Sequence, residues 1–254
     1  MEIVFNQCFY KKKLKNITTT ITSGKIYGCF GEYSLDLARL LTKKNTLTKG
    51  NIEGINKKSN AVIINYDSFG FFTITVKKEI NFYCNIKKVK DKRFKEKIEK
   101  LIQAFSLNNN FINKKISELS SSEKYLFYVL LNTIFDFDII IFNNLYGCLD
   151  HNNRKLIVNL LHEFINEDKI VIIIDDDINN LYDLTDYILI LKDGYIKFEG
   201  NTKDILTNVE ELTKFGIPVP DLPMITYLAK LKKNIKLFYH SDVRDIIKDI
   251  YKHV

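Results

Sequence analysis

Residues 119–150 read LSSSEKYLFYVLLNTIFDFDIIIFNNLYGCLD, and this stretch decides which fold the chain adopts. Three small residues, Ser120–Ser122, predict a turn, and a helix is expected from about Glu123. The apolar run Ile139–Phe142 comes next. Because this run is short, branched and non-alternating, it is typical of a central strand that is buried on both faces of a parallel sheet.

The flanking segments predict further strands and a crossover helix. A helical stretch is expected over Arg154–Asn166, and a second apolar run, Ile170–Ile174, follows it. Strand, helix and strand at this spacing form a right-handed crossover unit. Toward the N-terminus, residues 2–9 and 17–30 are predicted as strands on either side of a lysine-rich turn. We therefore expect an α/β protein.

Length and composition narrow the class of protein. The chain of 254 residues is 46% hydrophobic and 27% charged, which is ordinary for a soluble globular protein of one or two domains. No apolar run approaches the length of a membrane span, and the N-terminal residues MEIVFNQ are unlike a signal peptide. The four cysteines show no pair spacing and are predicted to be reduced thiols, so neither disulfides nor a metal site is expected.

The net charge of +7 comes mainly from lysine, including Lys11–Lys13 and the stretch 87–100. A solvated basic face explains such a charge, and contact with anionic lipid or an acidic partner is the alternative. Because no recognition module accompanies the charge, nucleic acid is not predicted as a partner.

Several sequence pieces recur in a family-specific order. Residues 24–41, GKIYGCFGEYSLDLARLL, have the strand–loop–helix rhythm of a phosphate-binding loop. LSSSE at 119–123 is similar to an LSGGE signature turn, GCLD at 147–150 to a D-loop, and KDGYIKFEG at 192–200 to a closing hairpin. Together they resemble the ATP-binding subunits of ABC transporters. The resemblance implies a P-loop NTPase (RecA-like) core with an N-terminal antiparallel β part, a helical subdomain and a short C-terminal helical extension.

The resemblance also implies domain boundaries. Residues 1–209 correspond to the nucleotide-binding domain, with its helical subdomain near 66–135. Gly50–Gly54 resembles a small β hairpin, and Ala61–Ile64 a strand. Residues 77–117 are predicted to be helical and basic, with apolar positions at helical spacing at Phe94, Ile98, Leu101, Ile102 and Phe105.

The tail, residues 210–254, resembles the C-terminal extension of ATPases from energy-coupling factor (ECF) importers, where it helps to join two ATPases. It holds every proline of the chain, at Pro218, Pro220 and Pro223, which enforces a local turn. Residues 241–252 are predicted to form an amphipathic helix.

The phosphate-binding loop lacks its chemistry. An ungapped overlay on the family pattern places Gly31 at the first glycine and Ser34 and Asp36 at the other two. Leu37 stands for the lysine and Ala38 for the Mg²⁺-binding Ser/Thr. Leu37 has no charge, Ala38 has no ligand oxygen, and Asp36 would repel phosphate. Tight binding of Mg-ATP at this loop is not expected.

The other catalytic positions are altered as well. Asn143 and Asn144 stand where the family has the Walker B Asp and Glu; an amide cannot act as a general base and is a poor ligand for a hard cation. Asp176 replaces the switch His. The Q-loop glutamine is replaced by Asn65 or, one residue later, Tyr66. The chain is therefore predicted to be a pseudo-ATPase.

The part of the site that the family lends to a partner subunit is better preserved. Leu119, Ser120 and Glu123 of the signature remain, with Ser121 and Ser122 in place of its two glycines, and Asp150 of the D-loop remains as well. In ABC ATPases these segments complete the ATP site of the other subunit, so ATP and Mg²⁺ are expected at the partner's site and weakly or not at all here. Taken alone, LSSSE is also typical of an ordinary N-cap with a capping box.

Aromatic side chains leave two alternatives open. Tyr10, or Phe9 beside it, falls where ABC ATPases stack an aromatic ring on adenine, but strand aromatics commonly belong to a core. The loop residues Phe69, Phe71 and Phe72 form either a docking surface or part of the core.

These observations predict a degenerate ATP-binding subunit of an ABC/ECF-type importer of a vitamin or metal ion. It would pair with a second, ATP-competent ATPase and contact a transmembrane scaffold protein near Asn65–Phe72, peripherally at the cytoplasmic face of the membrane. The alternatives are a regulatory or binding protein that has left transport, and residual activity through Asp36, Asp175 or Asp177.

Overall fold

The computed structural model describes residues 1–43, 46–56, 59–86, 98, 102–103, 110–233 and 243–252. The strands are β1 (Glu2–Tyr10), β2 (Leu14–Thr22), β3 (Ile26–Gly31), β4 (Lys49–Glu53), β5 (Ala61–Asn65), β6 (Ile139–Asn143), β7 (Ile170–Ile174), β8 (Tyr187–Lys192) and β9 (Tyr195–Asn201). The helices are α1 (Ser34–Leu41), α2 (Val76–Ile86), α3 (Ser121–Thr133), α4 (His151–Asn166), α5 (Ile178–Leu184), α6 (Thr202–Leu206), α7 (Val209–Lys214), α8 (Asp221–Lys233) and α9 (Val243–Lys252).

The central sheet has six strands in the order β5-β6-β7-β3-β8-β9. The first five strands run parallel, and β9 returns antiparallel to β8. The runs Ile139–Phe142 and Ile170–Ile174 are buried throughout and lie on adjacent inner strands joined by α4. The predicted crossover unit is therefore present.

Successive residues of the inner strands face two separate cores, because side chains alternate between the faces of a sheet. Ile139 and Ile141 pack in a core that also contains α1 and the N-terminal antiparallel sheet. Ile140 and Phe142 pack in a larger core with α3, α4 and α5. The predicted α/β architecture with an N-terminal antiparallel part is confirmed.

The antiparallel sheet has the order β2-β1-β4 and corrects two strand predictions. The stretch 17–30 is not one strand, because Gly24 at φ 88° turns the chain out of β2 and into β3 of the other sheet. Gly50–Gly54 does not form a separate hairpin, since β4 pairs with the second edge of β1. A Cβ at Gly50 or Gly54 would collide with the backbone of β1, which accounts for both glycines.

The helix predicted over 77–117 is only partly present. Helix α2 covers its N-terminal end. Residues 87–97, 99–101 and 104–109 lie outside the described residues, and with them Phe94, Leu101 and Phe105. Ile98 and Ile102 are both buried in the larger core.

Residues 111–118 form two short 3₁₀ turns, Phe111–Asn113 and Ile116–Glu118, instead of a continuous helix. The extended residues between them pair with the segment before α2. The Ile116 N–H donates to the Ile74 carbonyl, and the Val76 N–H donates to the Lys114 carbonyl. These bonds take backbone groups that a continuous helix would need for itself.

Two helix starts follow from their caps, and a third follows a proline. Helix α3 begins at Ser121, two residues before its predicted start, because Ser120 is its N-cap. Helix α4 begins at His151, before the predicted Arg154, because Asp150 caps it. In the tail, α8 begins directly after Pro220 and tolerates Pro223 in its first turn, where a missing N–H costs no helical bond. Helix α9 corresponds to the amphipathic helix predicted over 241–252.

Candidate functional site

Several residues considered for the nucleotide site lie along one edge of the central sheet. Gly31, Asn65, Asn143 and Asp175 stand at or directly after the carboxyl ends of β3, β5, β6 and β7. These four strands are neighbours in the order β5-β6-β7-β3. Open parallel sheets bind ligands at this edge, so it is the candidate nucleotide site.

The phosphate-binding loop is replaced by an early helix start. Tyr33 adopts a left-handed conformation at φ 66°, and α1 begins at the next residue, Ser34. The Leu37 N–H already donates to the Tyr33 carbonyl at 2.9 Å. A phosphate-binding loop works because successive N–H groups turn toward the ligand. The N–H of Leu37, at the lysine position of the overlay, instead makes a hydrogen bond within the helix.

The side chains at the lysine and Ser/Thr positions lie in the core. Leu37 and Ala38 are each 2% exposed and pack with β1 and β2 of the antiparallel sheet. Ser34 is also buried, and its hydroxyl donates to the Gly31 carbonyl at 2.8 Å. Gly31, at φ 95°, tolerates no side chain because a Cβ would collide with the Leu191 carbonyl oxygen. These side chains therefore stabilise the fold and do not face a ligand.

An internal ion pair lies at the first turn of α1. Asp36 accepts a hydrogen bond from Lys13 Nζ at 2.7 Å, and this bond raises the pKa of the Lys13 ammonium. Lys13 comes from the turn between β1 and β2 and also lies 5.6 Å from the centre of the Tyr33 ring. A carboxylate in the first helical turn interacts favourably with the free N–H groups there. The Asp36 carboxylate is thus the anion at this helix N-terminus, where a phosphate-binding loop would hold the phosphate of its ligand.

The adenine-stacking role considered for Tyr10 is corrected by its burial. Tyr10 is 4% exposed and packs in the core beneath the antiparallel sheet, so its ring has no free face for a base. The neighbouring Phe9 is half-buried, and Lys49 Nζ lies 5.8 Å from its ring centre. The alternative that Tyr10 is a core aromatic is the one that the structure supports.

The two strand-end amides at the Walker B and Q-loop positions bond to each other. The register of β5 and β6 places Asn65 opposite Asn143, and Asn143 Nδ2 donates to Asn65 Oδ1 at 2.9 Å. Asn65 Nδ2 in turn donates to Ser68 Oγ at 2.8 Å. Asn144 adopts φ 57°, and its N–H donates to the Ile174 carbonyl at the end of β7. The Asn65 amide oxygen, one of the atoms that would approach Mg²⁺, therefore already accepts a hydrogen bond from Asn143.

The carboxylates after β7 are also engaged. Asp175 is buried, which raises its pKa, although hydrogen bonds from the Asp177 N–H and from Asn180 Nδ2 oppose this effect. Asp177 caps α5 by accepting from the Asn179 N–H at 2.9 Å. Asp176, at the switch position, is exposed. With Asp36 paired to Lys13 as well, the three carboxylates considered for residual activity all serve structural bonds.

No group of three or more His, Cys, Asp or Glu side chains within the described part of the chain is arranged to hold a metal ion.

The signature turn is an intact helix N-terminus. Ser120 Oγ accepts from the Glu123 N–H at 3.1 Å, and the Glu123 carboxylate accepts from the Ser120 N–H at 2.8 Å, which is the predicted capping box. Lys114 Nζ lies 3.0 Å from the Glu123 carboxylate. Burial opposes ionisation of Glu123, but the bonds from Ser120 and Lys114 outweigh it and lower its pKa.

The structure brings the signature turn and the D-loop together. Asn153 Nδ2 lies 2.8 Å from Ser122 Oγ and 2.8 Å from Asp150 Oδ2. Cys148 Sγ lies 3.4 Å from the Ser121 carbonyl oxygen. The two segments that the family lends to a partner are thus adjacent in this chain.

The aromatic loop before α2 is split between core and surface. Phe69 stacks on Tyr128 and Phe71 stacks on Phe127, with ring centres 5.3 Å and 5.4 Å apart. Phe72 is 73% exposed. The core alternative therefore holds for Phe69 and Phe71. The docking surface stays a prediction, for which Phe72 is exposed.

Three residues that shape these segments were missed from the sequence. Lys13 lies in a lysine run, Asn153 in an ordinary helical first turn, and Glu79 among the lysines of α2. Glu79 is fully buried, and its carboxylate accepts from the N–H groups of Phe72 and Thr73 at 2.7–3.2 Å. An acidic residue between apolar positions near the start of a helix is a signal for such a contact. Lys13 and Asn153 carry no local signal.

Comparison with solved structures identifies the fold. The fold matches solved ABC-transporter ATPases: cbiO1 from Clostridium perfringens, described as part of the ABC transporter complex cbiONQ, superposes with a TM-score of 0.70 over 90% of this chain and 98% of that one, at 19% identity. An ATP-binding subunit of an ABC transporter gives 0.70 over 91% and 100%, at 12% identity. The chain has the fold of an ABC-transporter ATP-binding subunit.

Sequence similarity then points to one branch. The energy-coupling factor transporter ATP-binding protein EcfA2 of Staphylococcus epidermidis is 23% identical over 94% of this chain and 92% of the relative. EcfA3 of Oenococcus oeni is 23% identical over 97% and 92%, and a putative ABC transporter ATP-binding protein of Pyrococcus horikoshii is 26% identical over 94% of each. No protein-family model matches the chain. The chain is thus similar to ECF transporter ATP-binding proteins along nearly its whole length, and the resemblance found in the sequence is confirmed.

Proposed function

We propose that this chain is a catalytically degenerate ATP-binding subunit of an ECF-type importer. It pairs with an ATP-competent ATPase and lends its signature turn and D-loop to the ATP site of that partner. The complex couples ATP binding and hydrolysis to uptake of a vitamin or metal ion. The similarity to ECF transporter ATP-binding proteins supports the transport assignment.

One observation carries the degenerate half of this proposal. The P-loop lysine position, Leu37, faces the core, while Asp36 at the preceding position is paired with Lys13. By contrast, the signature turn keeps a complete capping box at the N-terminus of α3, a helix of 13 residues. Free N–H groups at such a helix end attract a phosphate. The chain therefore retains the half that acts on a partner's nucleotide, and a homodimer would contain no complete site.

The remaining surfaces fit a subunit that works beside a membrane protein. Among the residues that the structure describes, no helix is long and apolar enough to span a bilayer. The loop Asn65–Phe72 is held firmly by Glu79 and by the stacking of Phe69 and Phe71, while Phe72 is exposed. We place the scaffold contact at this loop, on the cytoplasmic face of the membrane, and the dimer contact in the tail 210–254.

The test compares ATP turnover by the chain alone, by the ATP-competent ATPase of the same cell alone, and by the two together. We expect turnover from the pair to exceed that of either subunit. Ser121→Asp places a carboxylate at the exposed first position of α3, where it would repel a partner-bound phosphate while favouring the helix dipole. Turnover should then fall at least tenfold, by analogy with other transition-state contacts, without loss of thermal stability.

Asn152→Asp is the matched control, because it adds the same charge at an exposed position in the first turn of α4. This variant should leave the turnover of the pair unchanged. ATP hydrolysis by the chain alone would refute the pseudo-ATPase assignment. If the chain does not stimulate the partner, the regulatory alternative, a binding protein that has left transport, replaces this proposal.

A further inference from the structure

Ser122 differs from the family's signature glycine in carrying a hydroxyl, and that hydroxyl points inward. Ser122 is 8% exposed, and its Oγ lies 2.8 Å from Asn153 Nδ2 of α4. A glycine has no atom with which to make this bond. The serine side chain is therefore turned toward the D-loop helix and away from the exposed face of the turn.

Asn153 holds the D-loop with the same amide group. Its Nδ2 also donates to Asp150 Oδ2 at 2.8 Å. Two further bonds support the same segment: Cys148 Sγ donates to the Ser121 carbonyl, and Arg154 Nε donates to the Leu149 carbonyl at 3.1 Å. The Asn153 side chain thus bonds the D-loop segment to the signature turn, although Ser122 and Asn153 are 31 positions apart in sequence.

The role of the Asn153 side chain is separable from helix capping. The cap of α4 is a bond from the Asn153 backbone N–H to Asp150 Oδ1 at 2.9 Å. Replacing the Asn153 side chain by alanine leaves that N–H in place. Such a change removes only the two bonds from Nδ2.

We propose that Asn153 is a positioning residue that joins Ser122 of the signature turn to Asp150 of the D-loop, so that both turns reach the partner's ATP as one unit. This inference rests on the proposed function. It also explains how the chain tolerates serine at a glycine position of the signature, because the hydroxyl is used internally and leaves the phosphate-facing N–H groups accessible.

The first test is hydrogen exchange on the full chain alone, which requires no partner. In Asn153→Ala and in Ser122→Ala, amides of both segments, 120–123 and 148–151, should exchange about 2- to 10-fold faster than in the wild type, as expected for loss of one or two hydrogen bonds. Asn152→Ala, an exposed neighbour in the same helical turn, should exchange like the wild type. The double variant should exchange no faster than Asn153→Ala, because both changes break the same bond. Faster exchange confined to one segment, or fully additive effects, would overturn the proposal.

The second test measures ATP turnover by the chain paired with the ATP-competent ATPase. Two explanations of Ser122 predict opposite changes in this turnover. If Asn153 positions both turns, Ser122→Gly should lower kcat of the pair about 2- to 10-fold. Asn153→Ala, which also removes the bond to Asp150, should lower it at least as much. If instead the serine only hinders approach to the partner's phosphate, Ser122→Gly should raise turnover, and the proposal is wrong. Should the wild-type chain fail to stimulate the partner, the proposed function fails, while the exchange experiment still decides whether the tie exists.

Discussion

Restoring the missing P-loop lysine by Leu37→Lys should not restore ATP binding. In the overlay, Leu37 occupies the lysine position, but its side chain is 2% exposed and packs against residues of β1 and β2. The backbone of α1 fixes that direction, since the Leu37 N–H is bonded to the Tyr33 carbonyl. A lysine placed there would enter the core and not the ligand side of the loop.

The expected magnitude follows from that burial. Removing a buried leucine from its apolar contacts costs about 2 kcal/mol. The lysine stem recovers part of this packing, but an ammonium without a partner in the core costs several kcal/mol more unless it bends outward. We expect the free energy of unfolding to fall by about 3–5 kcal/mol, a large share of the stability of an ordinary domain. For a chain of this size, that corresponds to a fall in Tm of roughly 10 °C.

Two assays measure the outcome: denaturant unfolding of the variant, and its binding of a fluorescent ATP analogue with Mg²⁺. Leu37→Met is the matched control, because it conserves volume and should cost less than about 1.5 kcal/mol. We expect no gain of nucleotide binding in either variant. If Leu37→Lys is as stable as Leu37→Met and binds Mg-ATP, then the side chain does not face the core and the reasoning is refuted.

Two further predictions concern buried groups. Burial raises the pKa of Cys29 from 9.0 to about 12, so between these pH values the folded chain keeps a proton that the unfolded chain loses. The free energy of unfolding should therefore fall as pH rises from 9 toward 12, by about 1.4 kcal/mol per pH unit from this group. Denaturant titrations should show a shallower fall in Cys29→Ala, and equal slopes in the two proteins would contradict the prediction. Glu79→Ala leaves the N–H groups of Phe72 and Thr73 without their acceptor, so the free energy of unfolding should fall by about 3 kcal/mol. Chymotrypsin should then cleave the aromatic loop. The control Lys78→Ala, on the exposed side of α2, should resist cleavage like the wild type.

Local patterns predicted the elements that local chemistry determines. The runs Ile139–Phe142 and Ile170–Ile174 became inner strands because a branched apolar run without alternation suits burial on both faces. The capping box of Ser120 and Glu123 lies within four residues and needs no distant partner. The helix starts at Ser121, two residues before the predicted Glu123, because the three serines are not all turn: Ser120 is the cap and the next two are helical.

Predictions failed where a long-range pairing decided the outcome. Gly50–Gly54 resembles a small family hairpin in sequence, but these two glycines permit the close approach of β4 to β1. Residues 111–118 have helical composition, yet they bond to the segment Ile74–Val76. The contacts of Lys13 with Asp36 and of Asn153 with Ser122 join residues 23 and 31 positions apart, for which the local sequence holds no signal.

The residues that replace the family's motif residues at the candidate nucleotide site bond to one another. A single reversion is therefore not expected to restore nucleotide binding. Asp36 is matched by Lys13, and Asn143 by Asn65. A lone Asn143→Asp change would therefore face the Asn65 carbonyl oxygen, to which Asn143 now donates, and a lone Asp36→Gly change would leave the Lys13 ammonium without its carboxylate. Each reversion breaks an existing bond before it creates a ligand for Mg²⁺ or phosphate. On the proposed function, several interacting pairs would therefore have to change together to rebuild this half-site, whereas Asn153 already bonds the signature turn to the D-loop.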